Sequence, residues 1–352
     1  MKKLTLLSFS ALVLFSSCFV EENKSDVKTD NKDTLPQEVN LYSHRHYDID
    51  REIYAEFEKE TGIKVNVIED DADKLMVRLK SEGENSPADI LITADAGRLL
   101  KAKEEGLLQS VKNETLESAI PANLRDEEGF WFGLTMRARV IVTHKDRVKE
   151  GAISSYAELA DKKWKKKVLI RSSENVYNQS LIAALIANWG YDKTLAWAKG
   201  IVANMARDPK GGDKDQVLAI AAGEGDIAVV NTYYLGKMLS SENPEEVKAA
   251  EMVRVIFPDQ NGSGTHINIS GAGIVKTSPN KANAIRLLEY LTSAKVQEKF
   301  AKGNNEYPVV IGVATNELLQ GWGDFVKDSL PLSNLGKYNT DALKLFNEAG
   351  WK

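Results

Sequence analysis

The sequence predicts an α/β fold of two lobes joined by two extended crossings. Three observations predict it. Strand-like and helix-like segments alternate from Glu38 to Glu105, the rhythm of a parallel sheet covered by helices. Phe130–His144, FWFGLTMRARVIVTH, is β-rich and too long for one ordinary strand, so it is placed to pass from one lobe to the other. His266–Val275, HINISGAGIV, is again extended and suits the return. A chain of 352 residues is long enough for two lobes with separate cores.

Glu38–Tyr42 opens the body as a strand. Ile53, Tyr54 and Phe57 recur at helical spacing over Asp50–Thr61, and Gly62 ends that helix. Ile63–Ile68 alternates as a second strand. Asp73–Ser81 is helical, Ala88–Thr93 is a third strand, and a helix follows over Gly97–Glu105. Beyond the first crossing, Val168–Ile170 is a strand. Gln179–Asn188, Lys193–Ala206 and Asp215–Ala222 are apolar helices. Ile227–Val230 reads as a buried strand that hands over, through Asn231 and Thr232, to a helix running to Leu239. Met252–Phe257 is a strand, and 261–264 is a turn. Asn280–Ser293, Ala294–Lys302 and pieces of the remainder are helical.

The amino terminus is a targeting segment. Lys2 and Lys3 precede an apolar run, Leu4–Phe15, of the length of a secretory signal rather than a membrane span. Ser16-Ser17-Cys18 resembles a bacterial lipobox, with Phe15 where an aliphatic residue is usual. Residues 1–17 are therefore expected to be a signal peptide, with Cys18 lipidated. Residues 18–37 form a polar tether too poor in large apolar side chains to order itself. Cys18 is the single cysteine, which excludes an internal disulfide. Net charge is -5 with acids and bases interspersed, and no basic stripe speaks for nucleic acid. Past the leader no apolar run is long enough to cross a bilayer.

Three stretches stand where strands end. They are Ser43-His44-Arg45-His46-Tyr47, Arg171–Gln179 (RSSENVYNQ) and Asn231-Thr232-Tyr233-Tyr234-Leu235. Open α/β sheets place ligands at the carboxyl ends of their strands. Adjacent tyrosines on a helical turn lie only about 100° apart, so the Tyr233 and Tyr234 oxygens can converge. A helix N-terminus favours negative charge, which helps a phenol ionise. Tyr47 and Tyr177 can meet this pair across a cleft.

In these stretches, and in Asn268–Gly273 (NISGAG), the chain resembles the periplasmic ferric-iron-binding proteins of ABC importers. It is most similar to the tyrosine-rich subgroup that needs no carbonate. The resemblance covers the body from about Glu38 onward and implies a two-lobed, type II periplasmic binding protein-like fold with a metal site in the cleft. It implies lobes of residues 38–135 plus 268–315, and 136–267 plus 316–352. By the same resemblance Tyr47, Tyr177, Tyr233 and Tyr234 are the ligands of Fe(III), with His46 contributing in some members. The function implied is capture of ferric iron by a monomeric, lipid-anchored protein in the periplasm or on the outer face of the cytoplasmic membrane. Its partners would be a permease and its ATPase.

Ferric iron is hard and prefers oxygen anions, and a bound cation drives the proton off a phenol. Four phenolates and Fe(III) carry a net charge of minus one. Arg137 is the first candidate to balance it and Arg45 the second. His144 is expected on a lobe surface, and His266 has no assigned role. His44 and His46 without a third ligand are weak evidence for zinc. Glu69, Asp70, Asp71 and Asp73 read as a solvated turn. No G-x-S-x-G elbow, phosphate loop or H-E-x-x-H motif supports an enzyme. Two other readings remain: a binding protein of the same fold for a small anion or a thiamine-like ligand, and a metalloenzyme.

Overall fold

Val39, Leu41, Ile90 and Ile92 are fully buried, and they draw the first strands into one layer. In the computed structural model, which describes residues 38–352, β1 (Glu38–Ser43) lies between β2 (Lys64–Glu69) and β3 (Ile90–Thr93), parallel to both. The leader, Cys18 and the tether lie outside the described residues. Helices α1 (Asp48–Thr61), α2 (Ala72–Glu82) and α3 (Ala96–Glu104) connect and cover these strands. α1 turns Ile53, Tyr54 and Phe57 inward and stops at Gly62, whose φ of 73° lets its amide return to the Glu58 carbonyl.

After the short α4 (Glu114–Ala119) comes β4 (Phe132–His144), buried along its whole length. The second half contributes β5 (Val168–Leu169), α5 (Val176–Trp189), α6 (Tyr191–Asn204), α7 (Asp213–Ala221), β6 (Ile227–Asn231), α8 (Thr232–Leu239), α9 (Pro244–Glu251) and β7 (Val253–Ile256). β8 (Ile267–Ile274) then leads to α10 (Lys281–Leu291), α11 (Ala294–Asn304) and β9 (Tyr307–Pro308). Of the last three helices, α12 (Glu317–Gly321), α13 (Ser333–Lys337) and α14 (Asn339–Ala349), α13 wedges between α3 and α5, and α14 packs on α5 and α6.

The fold is mixed α/β and two-lobed, and its hinge is legible in the pairing of β4. Phe132–Ala138 pairs antiparallel with β8, while Arg139–Thr143 pairs with β6 and Ile141–His144 with β7. β8 in turn pairs with β3, so the strand path runs β2-β1-β3-β8-β4-β6-β5. Both expected crossings are strands. They pair antiparallel with each other, while β1, β2 and β3 are parallel, as the strand–helix rhythm of Glu38–Glu105 predicts. The cores are not separate. One buried cluster runs along β4 from Val39 and Ile53 to Val230 and Met238, and a second fills the space under α5, α6 and α14. One face of β4, Phe132, Leu134, Met136, Ala138, Val140 and Val142, is apolar throughout and carries that core from end to end.

His144 also departs from expectation. It is buried, and its Nδ1 accepts the backbone amides of Asp146 at 3.1 Å and Arg147 at 3.3 Å, closing the turn after β4.

Candidate metal centre

Three helix N-termini point into one cleft, and each carries tyrosine. Tyr47 stands immediately before α1, its amide donating to Asp50 Oδ2 at 3.3 Å. Tyr177 is the second residue of α5, which Asn175 caps by accepting the Tyr177 amide at 3.2 Å. Tyr233 and Tyr234 are the second and third residues of α8. Each helix follows a strand, and β1 runs opposite to β5 and β6, so their carboxyl ends approach the middle of β4 from two sides and deliver the four phenols to one cleft. The Tyr177 and Tyr233 hydroxyls are 3.2 Å apart. The Tyr233 ring centroid is 4.3 Å from that of Tyr234 and 6.2 Å from that of Tyr47. A cleft of about 520 Å³ adjoins the quartet, lined by His44, His46, Tyr47, Tyr177, Tyr234 and Lys237 among others.

The four predicted tyrosines are thus brought together. His46 stands at the exposed rim, its ring centroid 5.4 Å from that of Tyr47. His44 also lines the cleft, where its Nδ1 accepts the Ala94 amide at 3.4 Å. Among the described residues no group of three His, Cys, Asp or Glu side chains is arranged to hold a metal, so the phenols are the candidate donor set. The acidic turn is solvated, as expected: Asp71 caps α2, while Asp70 pairs with Lys74, and Asp73 with Arg98 and Lys101.

Burial pushes the phenols upward. Tyr177 is pushed up to about 12, by desolvation first and then by Tyr234. Tyr47 and Tyr233 are raised too, again mainly by burial and then by neighbouring phenols. Helix N-termini favour ionisation, but burial acts against it, and without an ion the net direction for Tyr47, Tyr177 and Tyr233 is upward. A multivalent cation in the cleft reverses the balance.

The surrounding cations are arranged unequally. Arg45 is buried and paired with two carboxylates, Asp50 at 2.7 Å and Glu306 at 2.9 Å. Its charge is more than offset, which removes it as the balancing cation. Arg137 is also buried, but it donates only to the Ala94 carbonyl and to Ser270 Oγ, and its Nε has no partner. It lies 5.5 Å from the Tyr177 ring centroid. Neither arginine sits on the surface. Arg139 and Arg171 share one carboxylate, Asp213, at 2.8 and 3.4 Å, and both face Tyr177. The Tyr177 side of the cleft therefore holds surplus positive charge, suited to an anionic metal complex.

Arg45 also carries a stability prediction. Burial alone would raise Glu306, but Arg45, Asn304 and Thr135 hold it below the usual carboxylate range. Arg45→Met strands two buried carboxylates and is expected to cost about 3–5 kcal/mol, read by urea unfolding of the empty protein.

The polar residues around Tyr177 do positional work. Asn178 Oδ1 accepts Arg139 Nη2 at 2.8 Å, and Asp213 Oδ2 accepts the Asn231 amide at 2.6 Å, tying α5, α7 and the start of α8 into one frame. Ser180 donates across the cleft to Asp95 Oδ2 at 2.5 Å, which also accepts Asn268 Nδ2 of β8 at 2.7 Å. Asp95, which caps α3, therefore ties α3, α5 and β8 together. Sequence reasoning missed Arg139, Asp213, Asp95 and Lys237. For Lys237 a signal existed, since it follows Tyr233 by four positions on a helix and so shares its face.

Comparison with known proteins places this arrangement. The model of the family described as bacterial extracellular solute-binding protein matches residues 85–321. Iron uptake protein A1 of Synechocystis is 52% identical over 316 residues, covering 90% of this chain and 88% of that protein. A Trichodesmium structure in complex with iron and citrate ligands is 53% identical, with a TM-score of 0.87, over 90% of this chain and 100% of that one. The ferric binding protein from Campylobacter jejuni is 41% identical, with a TM-score of 0.85, over 89% of this chain and 100% of that one. On sequence and on fold, this chain belongs to the bacterial extracellular solute-binding protein family, a family of binding proteins and not of enzymes.

Proposed function

We propose that this chain captures ferric iron outside the cytoplasm through the phenolates of Tyr47, Tyr177, Tyr233 and Tyr234, and delivers it to the permease of an ATP-driven importer. The observation that carries the reading is the gathering of four tyrosines from three helix N-termini at one cleft, with the Tyr177 and Tyr233 hydroxyls in contact. Hard oxygen anions suit a trivalent ion, and a helix N-terminus suits the negative charge they acquire. Relatives named for iron uptake and ferric binding support the same cargo. His46 at the rim is the candidate fifth donor, and Arg137 balances the complex.

The lobes are 38–135 with 268–315, and 136–267 with 316–352. Tyr47 comes from the first and the other three tyrosines from the second, so the ion completes its shell only when the cleft is shut. Residues 1–17 are the signal and Cys18 carries the lipid that holds a monomer at the membrane. Titrating the empty protein with ferric nitrilotriacetate tests the reading. One equivalent should bring up the visible charge-transfer band of a ferric phenolate. Binding without that band would remove the tyrosines as ligands.

A further inference from the structure

Lys237 lies one turn beyond Tyr233 on α8, and its ammonium reaches over the cleft. Nζ stands 3.9 Å from the centroid of the Tyr47 ring and 5.8 Å from that of Tyr233. Tyr47 precedes α1, so the contact joins two elements that enter the cleft from different strands. The acids nearby are already engaged. Glu246 pairs with Lys214 at 2.8 Å, and Asp50 and Glu306 hold Arg45. Among the described residues no carboxylate forms an ion pair with Lys237, so its positive charge is spent on the aromatic face.

The distribution of charge gives this contact a role. Arg137, Arg139 and Arg171 all face Tyr177. On the Tyr47 side stands Arg45, 4.9 Å from the ring centroid, but two carboxylates cancel it. Lys237 is therefore the cation next to Tyr47 that no carboxylate pairs with directly among the described residues, while Glu306, Asp50 and Asp48 act on it through space. The empty quartet is neutral, whereas four phenolates around Fe(III) carry minus one. A fixed cation beside the quartet thus stabilises the loaded state over the empty one, and does so most at the oxygen it sits nearest.

We propose that Lys237 is a positioning residue for Tyr47: it holds the ring in the shut cleft and offsets the charge that the phenolate acquires on binding iron. This rests on Tyr47 being a ligand. The ammonium of Lys237 lies on the ring face, and its charge supplies what Arg45 cannot.

Lys237→Met keeps the length of the stem and removes the charge, and Lys237→Arg restores the charge. Each variant is loaded with ferric nitrilotriacetate and then stripped with excess EDTA while the visible band is followed. The Met variant is expected to lose iron about 10-fold faster, in the range seen when groups behind metal ligands are removed. Its band should move to longer wavelength, because an unscreened phenolate gives up its electron more easily. The Arg variant should return both towards wild type. Faster stripping with an unmoved band overturns the electrostatic role, and a Met variant matching wild type in both overturns the inference outright. A wild-type protein that loads iron without any phenolate band would instead overturn the tyrosine site itself. Thermal melting of the empty variants reports whether they fold.

Discussion

Replacing Tyr233 and Tyr234 together by phenylalanine is expected to abolish the visible band of the iron-loaded protein and to weaken ferric binding by at least about 10,000-fold. The figure takes the upper, 100-fold, loss seen for groups behind a metal ligand as a floor for each lost ligand. Phenylalanine keeps the tilted ring contact of 4.3 Å between these two positions and the 6.2 Å contact with Tyr47. The fold should therefore survive. The hydrogen bonds forfeited among the described residues include Tyr177 to Tyr233, 3.2 Å, and Arg171 to Tyr234, each worth about 0.5–1.5 kcal/mol. Competition against a chelator gives the affinity, and urea unfolding of the empty variant gives the stability. A double variant with wild-type affinity would place the ion elsewhere.

Loading is expected to release about four protons per ferric ion near neutral pH, one for each phenol, because a metal's ligands must be deprotonated. The sign follows from burial. Burial raises Tyr47, Tyr177 and Tyr233 above the ordinary phenol value, so these are neutral at pH 7 before the ion arrives. Lowering the pH favours the protonated, empty form, and affinity should fall by up to about tenfold per pH unit for each proton released. A pH-stat titration reads the protons directly, after correction for those taken up by the departing chelator. Release of about one proton or fewer would mean that most phenols stay neutral and are not ligands.

The parts of this account that were legible in the sequence are those carried by local pattern. The strand–helix rhythm of Glu38–Glu105 and the long apolar run of β4 announce themselves by period and length. Tyr233 and Tyr234 stand out because a strand passes into a helix at Asn231. Short polar helices were not legible. α4 (ETLESA) and α9 (PEEVKAAE) have little apolar periodicity, although Asn243 followed by Pro244 is a helix-start signal. Pairs made by distant residues left no trace either. Glu306 lies 261 positions from Arg45, and nothing near Arg45 shows that its charge is already taken. The height of the phenols was missed for a related reason. A helix start can be seen in sequence, whereas the desolvation that outweighs it depends on everything packed around the cleft.

The most direct measurement is the anomalous difference density of crystals of the iron-loaded protein, collected at the iron absorption edge. The account predicts one strong peak per chain, bonded to the hydroxyl oxygens of Tyr47, Tyr177, Tyr233 and Tyr234. A peak outside that quartet, or one bound through carboxylates with the four hydroxyls apart, would contradict it.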